Sequence, residues 1–553
     1  MRALCLLAWL ATMVATQPAR ADPPTTITLS IVGTSDLHGH LAALPWLAGY
    51  LENLRAARAR DGGGVLLLDA GDMFQGTLAS NLDEGAAVVA AYNELGYDAV
   101  ALGNHEFDFG PVGPAPAPAA ADDDPRGALK ARAAQARFPF LAANLVDRRT
   151  RKPVDWPNVK PSVILTAGGI KIGIIGLALE ATAHAAFPAN VADLKFLPLA
   201  QTTIRQARQL RAAGAQVVVV VAHEGGACTE LDQPDVPSSC DPHSAIFRLV
   251  RRLPRKTVDA IVAGHTHRAI AHVVRGVPVI QSYANGRAFG RIDLTVERRT
   301  GKLLASHVER PRDLCAKGEL EACKPGKYEG AEVIADKRVA ASIEPALAAA
   351  RERAGERLGV AVAKPLANRR VHESALGNLL ADLMLEARPA SDVALLNGGG
   401  VRAGLPAGPL TYGSLYETFP YDNVFATVRI SARQLRALLT RQLSHASALP
   451  LLSGLRVRAR CKGGSLDVTL MRNGGKALAD RQQLTVLTTD FLATGGDGFF
   501  GRAKTTIEGG QPVRDAMAEA LRKRGGVLVP HRLLDKRRPR MDLPGPVPIK
   551  CAR

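Results

Sequence analysis

The chain has 553 residues, 47% hydrophobic and 22% charged, a composition that excludes long-range disorder and is too large for one ordinary core, so about two domains are expected. Its formal charge of +18 invites a nucleic-acid reading, but no basic run is interleaved with aromatics as a nucleic-acid groove requires. The excess is arginine on solvated helix faces such as residues 51–60, and its field would speed encounter with anionic phosphate substrates.

In chain order, the first segment has the form of an export signal. Met1-Arg2 gives a charged start, residues 3–15 an apolar stretch, and Ala19-Arg20-Ala21 a small-x-small cleavage site, so residues 1–21 read as a signal peptide. The stretch is too short to span a bilayer, no Cys follows the cut to carry a lipid, and no later segment is long and apolar enough to cross a membrane. The mature protein is expected in the periplasm or outside the cell, without a transmembrane segment. Seven cysteines become six if Cys5 leaves with the signal. Cys228 with Cys240 and Cys315 with Cys323 are locally close, and an even count in an exported chain favours disulfides. Six cysteines allow 15 connectivities, so Cys461 with Cys551 stands only by elimination. The absence of any Cys-x-x-Cys argues against a thiol zinc site.

Apolar runs at 27–32, 65–68, 99–102, 172–177, 217–221 and 260–262 read as strands buried on both faces. Helical patterns at 42–60, 84–95, 127–137 and 202–213 lie between them, the signature of an α/β layered domain. Residues 111–125, rich in Ala and Pro, form a surface loop, and Asp122-Asp123-Asp124 reads as a solvated acidic turn rather than a calcium site. Residues 309–327 look like the exit from this domain, and a helix over 331–357 bridges to the next. There the α/β mixture resumes with a helix at 373–387, a strand at 393–396, a helix at 432–444 and a strand at 484–489. The basic stretch 522–540 reads as a solvated tail or terminal helix.

The chemistry sits where strands end. Asp36-x-His38, Gly71-Asp72, Gly103-Asn104-His105-Glu106, Ala222-His223-Glu224 and Gly264-His265-x-His267 each close an apolar run with hard-metal ligands. In α/β sheets the ligand site lies beyond the carboxyl ends of the strands. A single histidine after a strand is ordinarily a surface or core residue; five coordinated strand ends are not ordinary. Carboxylate, amide and imidazole donors suit Zn, Mn, Co or Fe rather than a soft thiol site, and two such cations around a shared carboxylate form a device for hydrolysing phosphate esters. Asp72 is the natural bridging ligand, with Asp69 as its competitor. Later in the chain, Gly398-x-Gly400-x-x-Ala403 superficially fits a dinucleotide fingerprint, but Gly404 and Pro406 deny it the helix it must open.

These motifs resemble the calcineurin-type metallophosphoesterases, and Gly103-Asn104-His105-Glu106-Phe107-Asp108 resembles their 5′-nucleotidase branch. The resemblance continues through Gly377-Asn378-Leu379 with Asp382, Asn397-Gly398-Gly399-Gly400-Val401-Arg402, and Phe491 with Gly495-Gly496-Asp497-Gly498-Phe499, so it covers nearly the whole mature chain. It implies an α/β fold: a layered β-sandwich flanked by helices over 26–312, a linker and bridging helix over 313–357, and a smaller α/β substrate domain over 358–553. It implies two divalent metal ions, one held by Asp36, His38, Asp72 and His267, the other by Asp72, Asn104, His223 and His265. His105, oriented by Asp108, would stabilise the phosphoryl oxygens or the leaving group. Arg370, Asn397 and Arg402 would bind phosphate and ribose, Tyr421 and Phe491 would sandwich the base, and Asp497 would accept from the ribose hydroxyls. The implied reaction is removal of the 5′-phosphate from nucleotides by a metal-activated water. Cyclic nucleotides, nucleotide-sugar pyrophosphates and a sulfur-carrier substrate are the alternative esters, and a non-catalytic nucleotide-binding protein is the alternative class. Metal identity, base preference and oligomeric state stay open.

Overall fold

The computed structural model describes residues 25–551, apart from 114, 119, 121, 316–322 and 502. The signal-peptide reading over 1–21 falls outside these residues.

Two sheets stack face to face in the N-terminal half. The first runs in the order Leu303–Asp313, Ala288–Glu297, Thr26–Thr34, Gly64–Asp69, Ala99–Ala101, Phe140–Leu141 and Val159–Lys160. The second runs Ala269–Val274, Val277–Ser282, Ala260–Ala263, Val217–Ala222, Ile170–Leu177 and Ser162–Ala167. The strands that carry the motifs are parallel in both sheets, with Ile31 beside Leu66 and Val219 beside Ala260. Period-two alternation sends Leu29, Ile31, Leu66 and Leu68 inward against Ile172, Ile174, Val219 and Val262. The outer faces, Val32 and Leu67 on one side and Val218 and Val220 on the other, are covered by helices Leu44–Asp61 and Ala86–Leu95 and by Leu199–Ala212 and Ala245–Arg252. Four layers result, which is why the strands read as unbroken apolar runs rather than alternating ones. Because the motif strands run the same way, their carboxyl ends open at one edge of the sandwich.

The C-terminal half has a five-stranded sheet, ordered Leu451–Ser453, Val393–Leu396, Gln483–Thr489, Val424–Ser431 and Thr505–Pro512. Ala394 and Leu396 face helices Ala375–Ala387 and Val513–Arg524, while Val393 and Leu395 face helix Ala432–His445.

Three expectations need correction. The bridging helix is Lys337–Gly355, beginning where Asp336 accepts from the amides of Arg338 and Val339 at 2.7 and 3.0 Å; ahead of it, Lys327–Tyr328 pairs with Ala331–Glu332. Strand Leu303–Asp313 keeps residues 309–313 within the first sheet, so the exit comes later than its charge suggested. The basic stretch 522–540 is largely exposed, but it is not a free tail, because the chain after it returns to the fold. Arg540 forks onto Asp382 at 2.7 and 2.8 Å, Met541–Asp542 joins a small sheet beside Arg456–Lys462, and Val547 and Ile549 are buried. The three disulfides are Cys228–Cys240, Cys315–Cys323 and Cys461–Cys551, the last pinning this returning segment. The acidic turn is a helix entry: Asp124 accepts from the Arg126 amide and pairs with Lys130. Among the described residues no helix is long and apolar enough to cross a membrane.

Candidate functional site

The strand-end loops zip together before their side chains meet. The amides of Asp36, His38 and Gly39 donate to the carbonyls of Gly71, Asp72 and Met73 at 2.9–3.0 Å, extending the parallel pairing of the strands behind them. Gly71 (φ 92°) and Gly103 lie so close that a Cβ on Gly103 would stand 2.1 Å from Asp72 Oδ1, so neither tolerates a side chain. Glu106, fully buried, clips the loops: it accepts from the amides of Asp72, Met73 and Gly103 at 2.9, 2.8 and 2.6 Å. Its place in the motif was legible in sequence; this role was not.

Asp36, His38 and His267 converge in one group, and Asp72, His223 and His265 in another. Asn104 joins the second, its Oδ1 lying 3.2 Å from His223 Nε2. All seven residues expected as ligands are thus brought together. Five of them, Asp36, His38, Asp72, His265 and His267, hold positive φ between 49 and 78°. Such a conformation is costly for residues with a Cβ and persists where the surroundings over-determine it. The rival Asp69 turns away into the core, where it accepts from Thr34, Tyr92 and the Gly71 amide; Asp72 instead faces the second group, its Oδ2 lying 3.0 Å from His223 Nε2.

The donor set fits divalent cations. His38 Nδ1 lies 2.7 Å from the Gln75 carbonyl and His223 Nδ1 lies 2.8 Å from the Ala70 carbonyl, so each Nδ1 carries a hydrogen and each Nε2 points into the cluster. There His38 Nε2 faces His267 Nε2 at 3.0 Å, and His223 Nε2 faces Asp72 Oδ2 at 3.0 Å. Converging acceptors repel unless a positive charge lies among them. Burial works against a charged His223, yet Asp72 pushes it up to about 9, so a proton is drawn into the place a cation would take. Burial lowers His38 to about 3 and raises Asp36 to about 7.

Beside this cluster, His105 Nδ1 meets Asp108 Oδ2 at 2.5 Å. Burial opposes a charged ring, but Asp108 and then Asp72 outweigh it and hold His105 well above the usual histidine range. The imidazole of His105, held by Asp108, therefore stands next to the candidate metal centre.

His105, Asp108 and Asn104 also line a cavity of about 780 Å³ whose opposite wall comes from the C-terminal half: Arg370, Asn397, Arg402, Tyr421, Phe491 and Asp497. Every residue expected to touch substrate lies there. Neighbouring Arg369 is absent from that wall. Asn397 Nδ2 donates to Asp497 Oδ2 at 2.6 Å. Asp497 itself sits at φ 50° between two glycines. Neither Arg370 nor Arg402 has a carboxylate partner among the described residues, which leaves two guanidinium forks free for an anion. Sequence reasoning missed other lining residues, among them Phe187, Asn423, Arg441 and Gln442, which lie outside every recognisable motif. Conversely, Asn378 and Asp382 belong to the resemblance but serve structure, bonding Glu373 and Arg540 respectively.

A helix-covered double sheet with two buried Asp/His clusters at the carboxyl ends of its parallel strands defines a hydrolase of the metallophosphoesterase class. Residues 29–269 match the calcineurin-like phosphoesterase family, whose members bind dinuclear metals, and residues 357–502 match the 5′-nucleotidase C-terminal domain. The chain belongs to the 5′-nucleotidase family. It is 27% identical to protein UshA of Salmonella pullorum over 537 residues, 90% of each chain, and 27% identical to a 5′-nucleotidase of Vibrio cholerae over 530 residues, 88% of each. Among solved structures it is similar to a 5′-nucleotidase precursor from Thermus thermophilus, with 26% identity, a TM-score of 0.66, and coverage of 91% of this chain and 99% of that one.

Proposed function

We propose that the chain is an exported phosphohydrolase that removes the 5′-phosphate from nucleoside 5′-monophosphates. The observation that carries this reading is the single cavity with a strongly basic imidazole on one wall and unpaired arginines, aromatic rings and a carboxylate on the other. Asp36, His38, Asp72 and His267 would hold one divalent cation, and Asp72, Asn104, His223 and His265 a second, with Asp72 shared. When bound, the pair supplies Lewis-acid charge to the phosphoryl group and lowers the pKa of water at the site.

The remaining work falls to side chains. Arg370 and Arg402 grip phosphate oxygens, two at a time. His105, its ring held by Asp108, donates from Nε2 to a phosphoryl or leaving-group oxygen. Asp497, oriented by the Asn397 amide, accepts from ribose hydroxyls. Tyr421 and Phe491 stack on the base, worth about 1–3 kcal/mol. The two walls belong to different halves of the chain, so turnover requires them to stay close, and the junction at the end of helix Lys337–Gly355 is the proposed hinge.

Three disulfides, together with the similarity to UshA, support export; the expected mature N-terminus, read by N-terminal sequencing, is Asp22. The activity is tested by measuring phosphate release from a panel of mononucleotides, cyclic nucleotides and nucleotide-sugars, with and without chelator. Metal-dependent hydrolysis of AMP is expected. Metal-loaded protein that releases no phosphate from any nucleotide would falsify the reading.

A further inference from the structure

Phe187 belongs to the catalytic half yet reaches the base pocket. It lies between the short helices Thr182–Ala185 and Pro188–Val191, with 7% of its surface exposed. Its ring stands edge-on to Phe491, with centroids 5.8 Å apart and planes at 74°. This is a favoured geometry for an aromatic pair. Helix Thr182–Ala185 also packs on the turn Gly496–Gly498 that carries Asp497. Phe187, Tyr421 and Asp108 together form the partition between the 780 Å³ cavity and a second one of about 510 Å³.

The mount of this ring is stiff. Asn190, wholly buried, donates from Nδ2 to the carbonyls of Phe107 and Pro116, both at 2.8 Å. Its own carbonyl accepts from Arg126 at 3.2 Å, and that guanidinium forks onto Asp193 at 2.7 and 2.9 Å. Phe107 closes the same turn that carries His105. The ring that touches Phe491 and the imidazole that faces the phosphate therefore hang from one rigid frame. The insertion 111–125 takes part in that frame through Pro116.

We propose that Phe187 is a positioning and specificity residue for the nucleobase: it fixes the Phe491 ring from across the domain boundary and completes the base slot only when the two halves are together. Base recognition and the placement of His105 then become one event. The inference rests on the nucleotide reading above. It predicts that a substrate with a base feels Phe187 and that the same sugar phosphate without a base does not.

The test compares AMP with ribose 5-phosphate for the wild type, Phe187→Ala, Phe187→Leu and Phe187→Tyr, with metal content measured for each. In the alanine variant the ratio of kcat/KM for AMP over ribose 5-phosphate is expected to fall about 3–10-fold, the scale of one lost aromatic contact, mainly through KM. Leucine keeps the apolar volume without the ring edge and shows the same selective loss, whereas tyrosine restores the ratio. Equal losses on both substrates, or an unchanged ratio in both the alanine and leucine variants, overturn the inference. A wild type that hydrolyses ribose 5-phosphate but not AMP overturns the nucleotide reading along with it, and is told apart because it needs no variant.

Discussion

The metal cluster and the base pocket face each other across one cavity but are built on opposite principles. The cluster is crowded and mostly buried: Asp36 and His223 are fully enclosed although His267 is exposed, five of its residues sit in costly backbone conformations, and a buried glutamate ties three of its amides. The base pocket is open, with Arg370, Arg402 and Asp497 exposed and Phe491 only half-buried. A site that must hold charges at fixed separations is made of strand ends that cannot move. A site that must admit and release a nucleotide is made of side chains projecting from turns. Loss of a residue from the first should therefore abolish the centre, and loss from the second should merely weaken it.

Asp72→Ala tests the extreme. Metal content by mass spectrometry is expected to fall below one ion per chain, with kcat reduced by more than about 10³-fold, beyond the loss of a single electrostatic donor; retention of two ions would break the contrast. His105→Ala separates charge stabilisation from metal binding: kcat for AMP should drop about 10²–10³-fold while the metal content stays at the wild-type value. Arg402→Ala should act on affinity, raising KM for AMP about 10–100-fold, the scale of one charged hydrogen-bonded contact, with the ions again retained.

The smallest expected effect concerns stability. Asp490, beside Phe491, is buried, and burial pushes it up to about 7; its Oδ1 accepts from two amides while Oδ2 has no partner. A carboxyl raised on folding stabilises the protein while protonated, so its contribution is whole below about pH 4 and is lost as pH rises through about 7. Asp490→Asn cannot ionise. The Tm difference, variant minus wild type, should therefore rise between pH 5 and pH 8 by roughly 2 °C or more. A difference that is flat with pH would show that Asp490 does not titrate in this range.

The same contrast explains what was legible. Strand ends announce themselves as a set, because five apolar runs that each stop at Asp, Asn or His are hard to explain separately, and all seven expected ligands meet in space. The sequence already favours Asp72 over Asp69, but the reason Asp69 turns away, with Thr34 and Tyr92 waiting behind it, is not visible there. Phe187 was invisible for a related reason: its partner, Phe491, lies in the other half of the chain, and nothing around it departs from an ordinary loop. The segment after residue 522 was legible in its exposure, since Arg532, Lys536, Arg537 and Arg538 face solvent, but not in its end, where Arg540 spends its charge on Asp382. Charge reports exposure only when no partner of opposite sign lies within reach.

Helix Lys337–Gly355 has a consequence for how such a chain can be divided. Val339 and Ile343 are set into the core beneath helix Leu44–Asp61, while Ala354 at its other end packs into the core of the C-terminal half. Ala350 touches both. Cutting before this helix strips a side from the first core, and cutting after it leaves an uncovered face on the second. Exchange of halves between relatives, whether in evolution or by gene fusion, would have to carry this helix together with the surfaces on both sides that receive it.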